Sequence, residues 1–283
     1  MKKRFLWLIW LLFALALAGC KAYEVQNADE DKDESGDAIV SCDKLTAHAS
    51  TCTNTATNIK LRLIGSGTFT MGADDAGAAS DESPTHAVTI SAPYYIGFYE
   101  VTKTQWKSVM GGASGNTPIA GVSWSQIADA GGFVAKLNAN AGTIKIGGAV
   151  YEYALPSEAQ WEFAARGGAG SVYSWGDNEA GGYAWYLGNA ASNTHTAGNK
   201  KPNGYGLYDT SGNVAEWVQD CFSNYGAAAV TDPIVNDCSG NRIVRGGSFE
   251  GALADLRSSK RTPFAKSYSS NAIGFRLALV PKR

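Results

Sequence analysis

The chain begins with an apolar segment that follows a short basic one. Residues 2–4 are all basic, and residues 5–18 are all apolar. At about 1.5 Å per residue, this run is too short for a comfortable transmembrane helix. Small residues then lead to Cys20. This order predicts a bacterial lipoprotein signal peptide at residues 1–19, with lipid attached to Cys20; a cleaved signal peptide with an incidental cysteine is the alternative.

The segment after Cys20 is polar, and acidic residues dominate positions 29–37. Such a run cannot bury a core and repels itself, so residues 20–40 are predicted to form an extended tether. Residues 41–58 form a short extension with two cysteines, and the main domain is predicted at residues 59–283. We therefore expect an exported protein, anchored in a membrane by its lipid, at the outer membrane, the cell surface or the periplasmic face.

Short alternating segments and helix-start signals follow Ile59. Residues 86–90 and 94–99 alternate and are rich in β-branched and aromatic side chains, which favours strands. Thr102 and Ser157 each precede a glutamine by three residues, which is the capping-box pattern of a helix start. The pattern therefore predicts a domain that mixes short strands with short helices.

Apolar residues at helical spacing predict a further helix that starts at Ser123 or Ser125 and runs through Leu137. The composition of 33 Gly, 13 Tyr and 8 Trp, with only 18% charged residues, excludes a collagen and disfavours coiled coils and helical bundles. It favours a loop-rich fold with an aromatic core. A formal net charge of −2 leaves no basic surface for nucleic acid, so we expect no nucleic-acid partner.

Four cysteines remain after Cys20. An even number in an exported chain favours disulfide bonds, and their spacing lacks the paired pattern of a zinc site. We expect a Cys42–Cys52 bond and a Cys221–Cys238 bond, although the crossed pairings stay open.

Six sequence blocks occur in the order and with the separations of one known family. In these blocks the chain resembles the formylglycine-generating-enzyme, or sulfatase-modifying-factor, family. The blocks are GTFTMG (67–72), YYIGFYEVTKTQW (94–106), GVSW (121–124), LPSEAQWEFAARGG (155–168), NGYGLYDTSGNVAEW (203–217), and VRGGSF (244–249) with GFR (274–276). The resemblance implies a single α+β domain of the C-type-lectin-like type, with sparse regular structure and many ordered loops.

Members of this family oxidise a substrate cysteine to formylglycine with two cysteines that bind Cu(I). The matching positions here fall near Gly251 and Leu256, and no cysteine follows Cys238. We therefore expect no bound copper and assign no catalytic residue. Iron-dependent relatives need His or carboxylate ligands, and such a site would have to join His86 to His195. A metal-dependent oxidase or protein-modifying enzyme is the alternative function.

The resemblance also implies a calcium site in the segment 208–217. Carried over residue by residue, the ligands are the side chains of Asp209 and Glu216 and the carbonyls of Gly212 and Val214. Hard oxygen donors, two carboxylates and a glycine at a sharp turn suit Ca²⁺. The alternative is a turn whose acids accept hydrogen bonds from backbone amides.

In this fold the stretch between RGGS (245–248) and GFR (274–276) lines the active or binding surface. The chain also resembles the variable proteins of diversity-generating retroelements, whose ligand contacts lie in the same stretch. A mixture of aromatic, small and polar side chains suits recognition of a protein or another surface ligand, and also suits an ordinary solvated loop. Arg257 and Arg261 are expected to pair with nearby carboxylates or carbonyls. The predicted ligand-binding residues are Phe249, Glu250, Asp255, Phe264, Tyr268 and Asn271.

Overall fold

The computed structural model describes residues 31–32, 38–42, 51–176, 179–236 and 240–282. The predicted signal peptide, Cys20, Cys238 and most of the predicted tether lie outside these residues. Among the described residues, no helix has the length and apolar character needed to cross a membrane.

Helices in the described part of the chain are short, and two of them begin where the capping boxes predict. The Thr102 hydroxyl accepts a hydrogen bond from the backbone N–H of Gln105, and Ser157 caps its helix in the same way. Gly167 ends that later helix in the left-handed conformation, with φ 59°. The α-helices are α1 (Lys103–Met110), α2 (Trp124–Ala128), α3 (Phe133–Ala141) and α4 (Glu158–Arg166).

The continuous helix predicted from residue 123 to residue 137 is wrong, because the chain breaks there into α2 and α3. Ser123 does cap α2, with Gln126 completing the capping box. Gly131 then takes a φ of 79°. A Cβ atom on Gly132 would lie 2.8 Å from the carbonyl oxygen of Gln126, so the backbone turns back tightly onto the end of α2. Apolar residues keep their helical spacing across this turn, so the sequence pattern did not indicate the break between α2 and α3.

The largest sheet has eight strands, in the order β1-β2-β3-β4-β7-β15-β9-β8. Its C-terminal strand, β15, pairs with both β7 and β9, so the end of the chain is held inside the sheet. The strands are β1 (Asp31–Lys32), β2 (Ala38–Cys42), β3 (Thr51–Asn54), β4 (Ile59–Ile64), β7 (Tyr94–Gly97), β8 (Ile144–Ile146), β9 (Ala149–Ala154) and β15 (Ala278–Pro281).

A disulfide bond joins two strands of the N-terminal extension. Strand β2 pairs antiparallel with β3, which places Cys42 opposite Cys52. The two sulfur atoms are bonded to each other, so the predicted Cys42–Cys52 pairing is confirmed. Cys221 is also disulfide-bonded, and the predicted pairing with Cys238 stays a prediction.

Part of the predicted tether is regular structure. Residues 31–32 lie in β1 and residues 38–40 lie in β2, next to the edge of the large sheet. Val40 is 5% exposed and belongs to the hydrophobic core. Pairing with β3 satisfies the backbone hydrogen bonds of β2, which a pattern of charges along the sequence does not reveal.

Two smaller sheets complete the α+β architecture that the sequence predicted. The four-stranded sheet has the order β13-β12-β10-β14 and carries the segment after RGGS. The three-stranded sheet has the order β11-β6-β5. Their strands are β5 (Gly67–Met71), β6 (His86–Ile90), β10 (Ala215–Cys221), β11 (Val230–Thr231), β12 (Arg242–Arg245), β13 (Arg261–Phe264) and β14 (Ile273–Gly274).

Buried tryptophans connect these sheets to the loops. Each of three tryptophans in the family blocks is at most 5% exposed and donates its indole N–H to a partner distant in sequence. A buried indole therefore fills the core without leaving its donor unpaired. The pairs are Trp124 Nε1 with the Val218 carbonyl (2.9 Å), Trp161 Nε1 with Glu216 Oε2 (2.7 Å) and Trp217 Nε1 with the Val122 carbonyl (3.0 Å).

Candidate functional site

A cleft of about 280 Å³ opens on the four-stranded sheet. It lies where the predicted ligand-binding stretch leaves β12 and returns through β13 toward β14. Its lining residues are Ala215, Val244, Arg245, Gly246, Gly247, Ser248, Glu250, Gly251, Asp255, Lys260, Thr262, Phe264, Tyr268, Ser270, Ala272 and Ile273.

Buried ion pairs hold the floor of the cleft. Arg245, at the end of β12, is 1% exposed and pairs with Glu158 and Glu162 of α4. The same guanidinium donates to the carbonyl oxygens of Ser258 (2.8 Å) and Ser259 (3.1 Å). These contacts tie the first strand of the binding stretch to the return segment. The ion pairs and these backbone contacts together therefore set the distance between β12 and the return segment, which form the two walls of the cleft.

Arg257 and Arg261 belong to the segment that returns through β13, and both pair with carboxylates, as expected. Both guanidinium groups are buried and pair with carboxylates, Arg257 with Glu82 and Arg261 with Glu158. The expectation that these two arginines are structural is confirmed by these contacts. Because each arginine is paired inside the protein, neither presents its charge to the cleft.

Gly247 shapes the turn at the base of the cleft. Its φ is 66°, and a Cβ atom there would lie 2.6 Å from the carbonyl oxygen of Asp255. A side chain at this position would push the two walls apart, so the narrow base of the cleft depends on glycine.

Stacked aromatic rings run from the core to one wall of the cleft. Trp217 is fully buried and meets Phe264 edge to face, with ring centroids 6.3 Å apart. Phe264 in turn stacks on Tyr268 at 4.4 Å and an interplanar angle of 6°. Tyr268 is 43% exposed. The core thus fixes the position of an aromatic ring that reaches solvent.

Unpaired charged side chains also line the cleft. Within the described part of the chain, no ion pair involves Glu250, Asp255 or Lys260. One oxygen of Asp255 accepts a hydrogen bond from the backbone N–H of Ala252 at 2.9 Å. Charged groups that the protein leaves unpaired at a concave surface are free to bind a ligand.

The structure brings four of the six predicted ligand-binding residues together in the cleft: Glu250, Asp255, Phe264 and Tyr268. Phe249 is 5% exposed and packs with Ala190 and Ala272 below the surface. Asn271 is exposed but is not part of the lining. Lys260 also lines the cleft; it lies in the stretch that was expected to form the binding surface, but it was not one of the six predicted contacts.

The segment proposed for calcium forms a buried loop beside this sheet. Asp209 has a φ of 51°, and its Oδ2 atom accepts a hydrogen bond from the backbone N–H of Gly198 at 2.6 Å. Its Oδ1 atom is buried and has no hydrogen-bond partner. Glu216 is held by Arg276, with Oε1 2.6 Å from Nη2 and Oε2 2.6 Å from Nε.

Glu100, which follows β7, contacts this loop and was missed by the sequence analysis. It is fully buried, and its two oxygens accept hydrogen bonds from the Val214 backbone N–H (3.0 Å) and the Asn213 side chain (2.9 Å). Burial raises the pKa of Glu100 well above its ordinary value, and the charges of Asp209 and Glu216 raise it further. The sequence signal that could have indicated this buried carboxylate is a single acidic residue in the otherwise mostly apolar block YYIGFYEVT.

The loop therefore gathers three buried carboxylates around one arginine. Burial also raises the pKa of Asp209. Across the described residues, no set of three or more His, Cys, Asp or Glu side chains has the arrangement of a metal centre. A calcium site of the implied kind needs only two carboxylates beside backbone carbonyls. The unpartnered Oδ1 atom of Asp209 fits such a cation, whereas Glu216 already pairs with Arg276.

The two histidines of the main domain have different partners. The ring of His86 packs on Tyr225, with centroids 4.8 Å apart. The ring of His195 stacks on Trp185 at 3.7 Å, and its Nε2 atom lies 2.9 Å from the Ala190 carbonyl oxygen. Each histidine thus has a packing role in its own neighbourhood.

Comparison with known proteins identifies the family to which this architecture belongs. The family described as the sulfatase-modifying factor enzyme 1-like domain matches residues 47–280. The chain belongs to this family. The match includes all the residues that line the cleft, so the cleft is part of the family domain.

Relatives that match this chain include both a formylglycine-generating enzyme and a protein named as a chaperone. A formylglycine-generating enzyme of Streptomyces coelicolor is 38% identical over 143 residues, which are 44% of this chain and 46% of that enzyme. This chain therefore matches less than half the length of that relative. The chaperone protein LppX of Paenibacillus barcinonensis is 32% identical over 222 residues, which are 62% of this chain and 76% of LppX.

Solved structures confirm the C-type-lectin-like fold that the sequence blocks implied. Treponema denticola variable protein 1 has a TM-score of 0.70 and 26% identity, and the match covers 86% of this chain and 99% of that one. This likeness confirms the resemblance to variable proteins. PvdO from Pseudomonas aeruginosa, at a TM-score of 0.70 and 24% identity over 81% of this chain and 97% of PvdO, shows the fold alone.

Proposed function

We propose that this protein is an exported, lipid-anchored binding protein, attached at Cys20, that recognises a protein partner through the cleft. The observation that carries the proposal is the chemistry at the two positions matching the copper-binding cysteines. Gly251 lines the cleft, and Leu256 is fully buried. Neither residue supplies the thiolate that Cu(I) requires. We therefore propose binding without copper oxidase activity.

Exposed apolar side chains beside the cleft support a protein partner. Tyr268 in its lining is 43% exposed, and Leu253, two residues before Asp255, is 41% exposed. Leu187 is 61% exposed, and its backbone N–H donates to the carbonyl oxygen of Gly251 at 3.0 Å. Large exposed apolar groups around a concave site are typical of protein interfaces. The similarity to a protein named as a chaperone agrees with a binding role.

Photocrosslinking in the cell envelope tests the proposal. A photoreactive amino acid at position 268 of the full-length protein should form a covalent adduct with one partner protein. The same group at Val150, 36% exposed on β9, should form none. With the identified partner, Tyr268→Ser should weaken binding about thirtyfold or more, because a central aromatic anchor contributes about 2 kcal/mol or more.

Two results would contradict the binding proposal. One is the lack of any adduct at position 268, or equal adducts at positions 268 and 150. The other is formylglycine in a cysteine-containing sulfatase peptide incubated with the purified protein, copper and oxygen. That product would establish the oxidase alternative.

We also propose that one Ca²⁺ ion binds the buried loop, held by Asp209 and the carbonyl oxygens of Gly212 and Val214, with Glu216 sharing one of its oxygens between the ion and Arg276. The unpartnered Oδ1 atom of Asp209 supports this proposal. The ion would neutralise part of the buried negative charge and rigidify the loop. No chemical step is assigned to it.

Calcium removal provides the test. At a free Ca²⁺ concentration about 100 times the dissociation constant, a site present only in the folded state adds about 2.7 kcal/mol to stability. We therefore expect EGTA to lower the melting temperature of the wild type, and Asp209→Ala to abolish that response. The matched control is Asp232→Ala, because Asp232 also has a positive φ, of 46°, but binds Ser91 elsewhere. A wild type that melts identically in EGTA and in calcium contradicts the site.

A further inference from the structure

The cleft carries an excess of unpaired acidic charge. The carboxylates of Glu250 and Asp255 line it and form no ion pair within the described residues. Lys260 is the unpaired cation of the lining, since Arg245 is neutralised by two buried glutamates. Two acids against one lysine leave the cleft with a net negative charge. This charge favours a cationic ligand and disfavours an anionic one.

The same cleft offers an aromatic ring that is fixed in place. Phe264 covers one face of Tyr268 at a centroid distance of 4.4 Å, and the tyrosine ring is still 43% exposed. The backbone N–H of Tyr268 donates to the Ala265 carbonyl oxygen at 2.8 Å, which fixes the loop that carries it. The outer face of the ring is therefore available to a ligand with little loss of side-chain freedom on binding.

A cleft lined by both unpaired carboxylates and an open aromatic face matches the chemistry of one side chain in particular. A guanidinium group is planar, donates several hydrogen bonds to carboxylates and stacks on aromatic rings. An ammonium group is a compact, strongly hydrated charge and uses the ring less well. A purely apolar group would desolvate Glu250 and Asp255 without pairing them, which is costly.

We propose that the cleft binds an arginine side chain of the partner protein, with its guanidinium group paired to Glu250 and Asp255 and stacked on Tyr268. This inference rests on the proposed function, because it names the chemical group that the binding site selects. The apolar side chains of Leu187 and Leu253 beside the cleft then contact the residues that flank the arginine.

Selection from a random peptide library tests the preference. Phage-displayed peptides are selected on the full-length protein and counter-selected on the Tyr268→Ser variant, so that the retained peptides depend on the cleft. We expect arginine to be enriched at one position of these peptides. Replacing it by citrulline, which has nearly the same shape but no charge, should weaken binding about tenfold or more, because hydrogen bonds between charged groups contribute about 1.5–3 kcal/mol.

Variants of the protein provide the second arm. Glu250→Gln and Asp255→Asn should each weaken the arginine peptide and leave the citrulline peptide unaffected. Glu152→Gln is the matched control, since Glu152 lies on β9 with a side chain that is 44% exposed, and it should change neither affinity. Unchanged melting temperatures show that each variant is folded.

The outcomes separate this inference from the function on which it rests. Peptides that require Tyr268 but contain lysine, acidic or apolar residues in place of arginine overturn the arginine preference and leave the binding function standing. The same holds for peptides that bind equally well with citrulline. If no selected peptide depends on Tyr268 and position 268 also gives no adduct in cells, both proposals fail.

Discussion

Replacing Arg276 by methionine should lower the free energy of unfolding by about 3–5 kcal/mol, because it leaves a buried carboxylate without its counter-charge. Arg276 is fully buried and holds both oxygens of Glu216 at 2.6 Å. It also donates to the carbonyl oxygens of Gly97 (3.0 Å) and Tyr208 (2.9 Å). One substitution therefore removes an ion pair and two bonds that join separate segments. Chemical denaturation monitored by tryptophan fluorescence measures the loss.

Two controls separate buried charge from lost packing. Lys282→Met removes an exposed pair with Glu152, 4.0 Å apart, and should cost at most about 1 kcal/mol. The double variant Glu216→Gln with Arg276→Met should recover part of the loss, because it removes the unpaired charge as well. A loss for Arg276→Met as small as that for Lys282→Met would show that this ion pair contributes little.

Replacing Gly212 by alanine should destabilise the protein more than its backbone angle alone explains. Gly212 has a φ of 79°, and a Cβ atom there would lie 2.1 Å from the carbonyl oxygen of Trp185. That carbonyl accepts a hydrogen bond from the backbone N–H of Asn213 at 2.8 Å, so it cannot move away freely. The clash should add about 1–3 kcal/mol, as overpacking does in other interiors.

Gly131 provides the matched control for this substitution. Its φ is also 79°, but no atom lies within 4 Å of the position that a Cβ atom would occupy. Gly131→Ala should therefore cost only the strain of the left-handed conformation, about 1–2 kcal/mol. The difference in unfolding free energy between the two variants isolates the close approach of Gly212 to Trp185. Equal losses would contradict this account.

The loop that contains Gly212 also holds the segment that enters the cleft. The carbonyl oxygen of Asn213 accepts a hydrogen bond from the backbone N–H of Phe249 at 2.9 Å, and Gly212 donates to the Gly246 carbonyl at 2.9 Å. Both partners belong to the segment that enters the cleft. Phe249, predicted as a ligand contact, thus lies in the layer that supports the binding surface.

Local signals in the sequence predicted several elements correctly because their causes lie within a few residues. The capping boxes at Thr102 and Ser157 need only a hydroxyl and a glutamine three residues later. The Cys42–Cys52 bond closes a short loop between adjacent strands. The six family blocks predicted the fold and the stretch that contains the cleft, since their order along the chain is itself sequence information.

Other features depended on contacts between residues far apart in the chain. The helix break at Gly131 follows from how the chain turns back on α2, and the burial of Phe249 follows from packing against Ala190. Glu100 meets its partners in the loop more than a hundred residues later. No periodicity near Glu100 reports such a contact.

The sequence by itself determined the family, the α+β fold, the starts of α1 and α4 and the absence of cysteine at the copper positions. Only the tertiary structure decided which side chains of the binding stretch meet in one cleft. It placed Tyr268 on Phe264 and the core, left Glu250 and Asp255 unpaired, and neutralised the buried arginines with glutamates from α4 and the segment before β6. The physical reason is that the charge and exposure of a group depend on its neighbours in space, and most of those neighbours are distant in sequence.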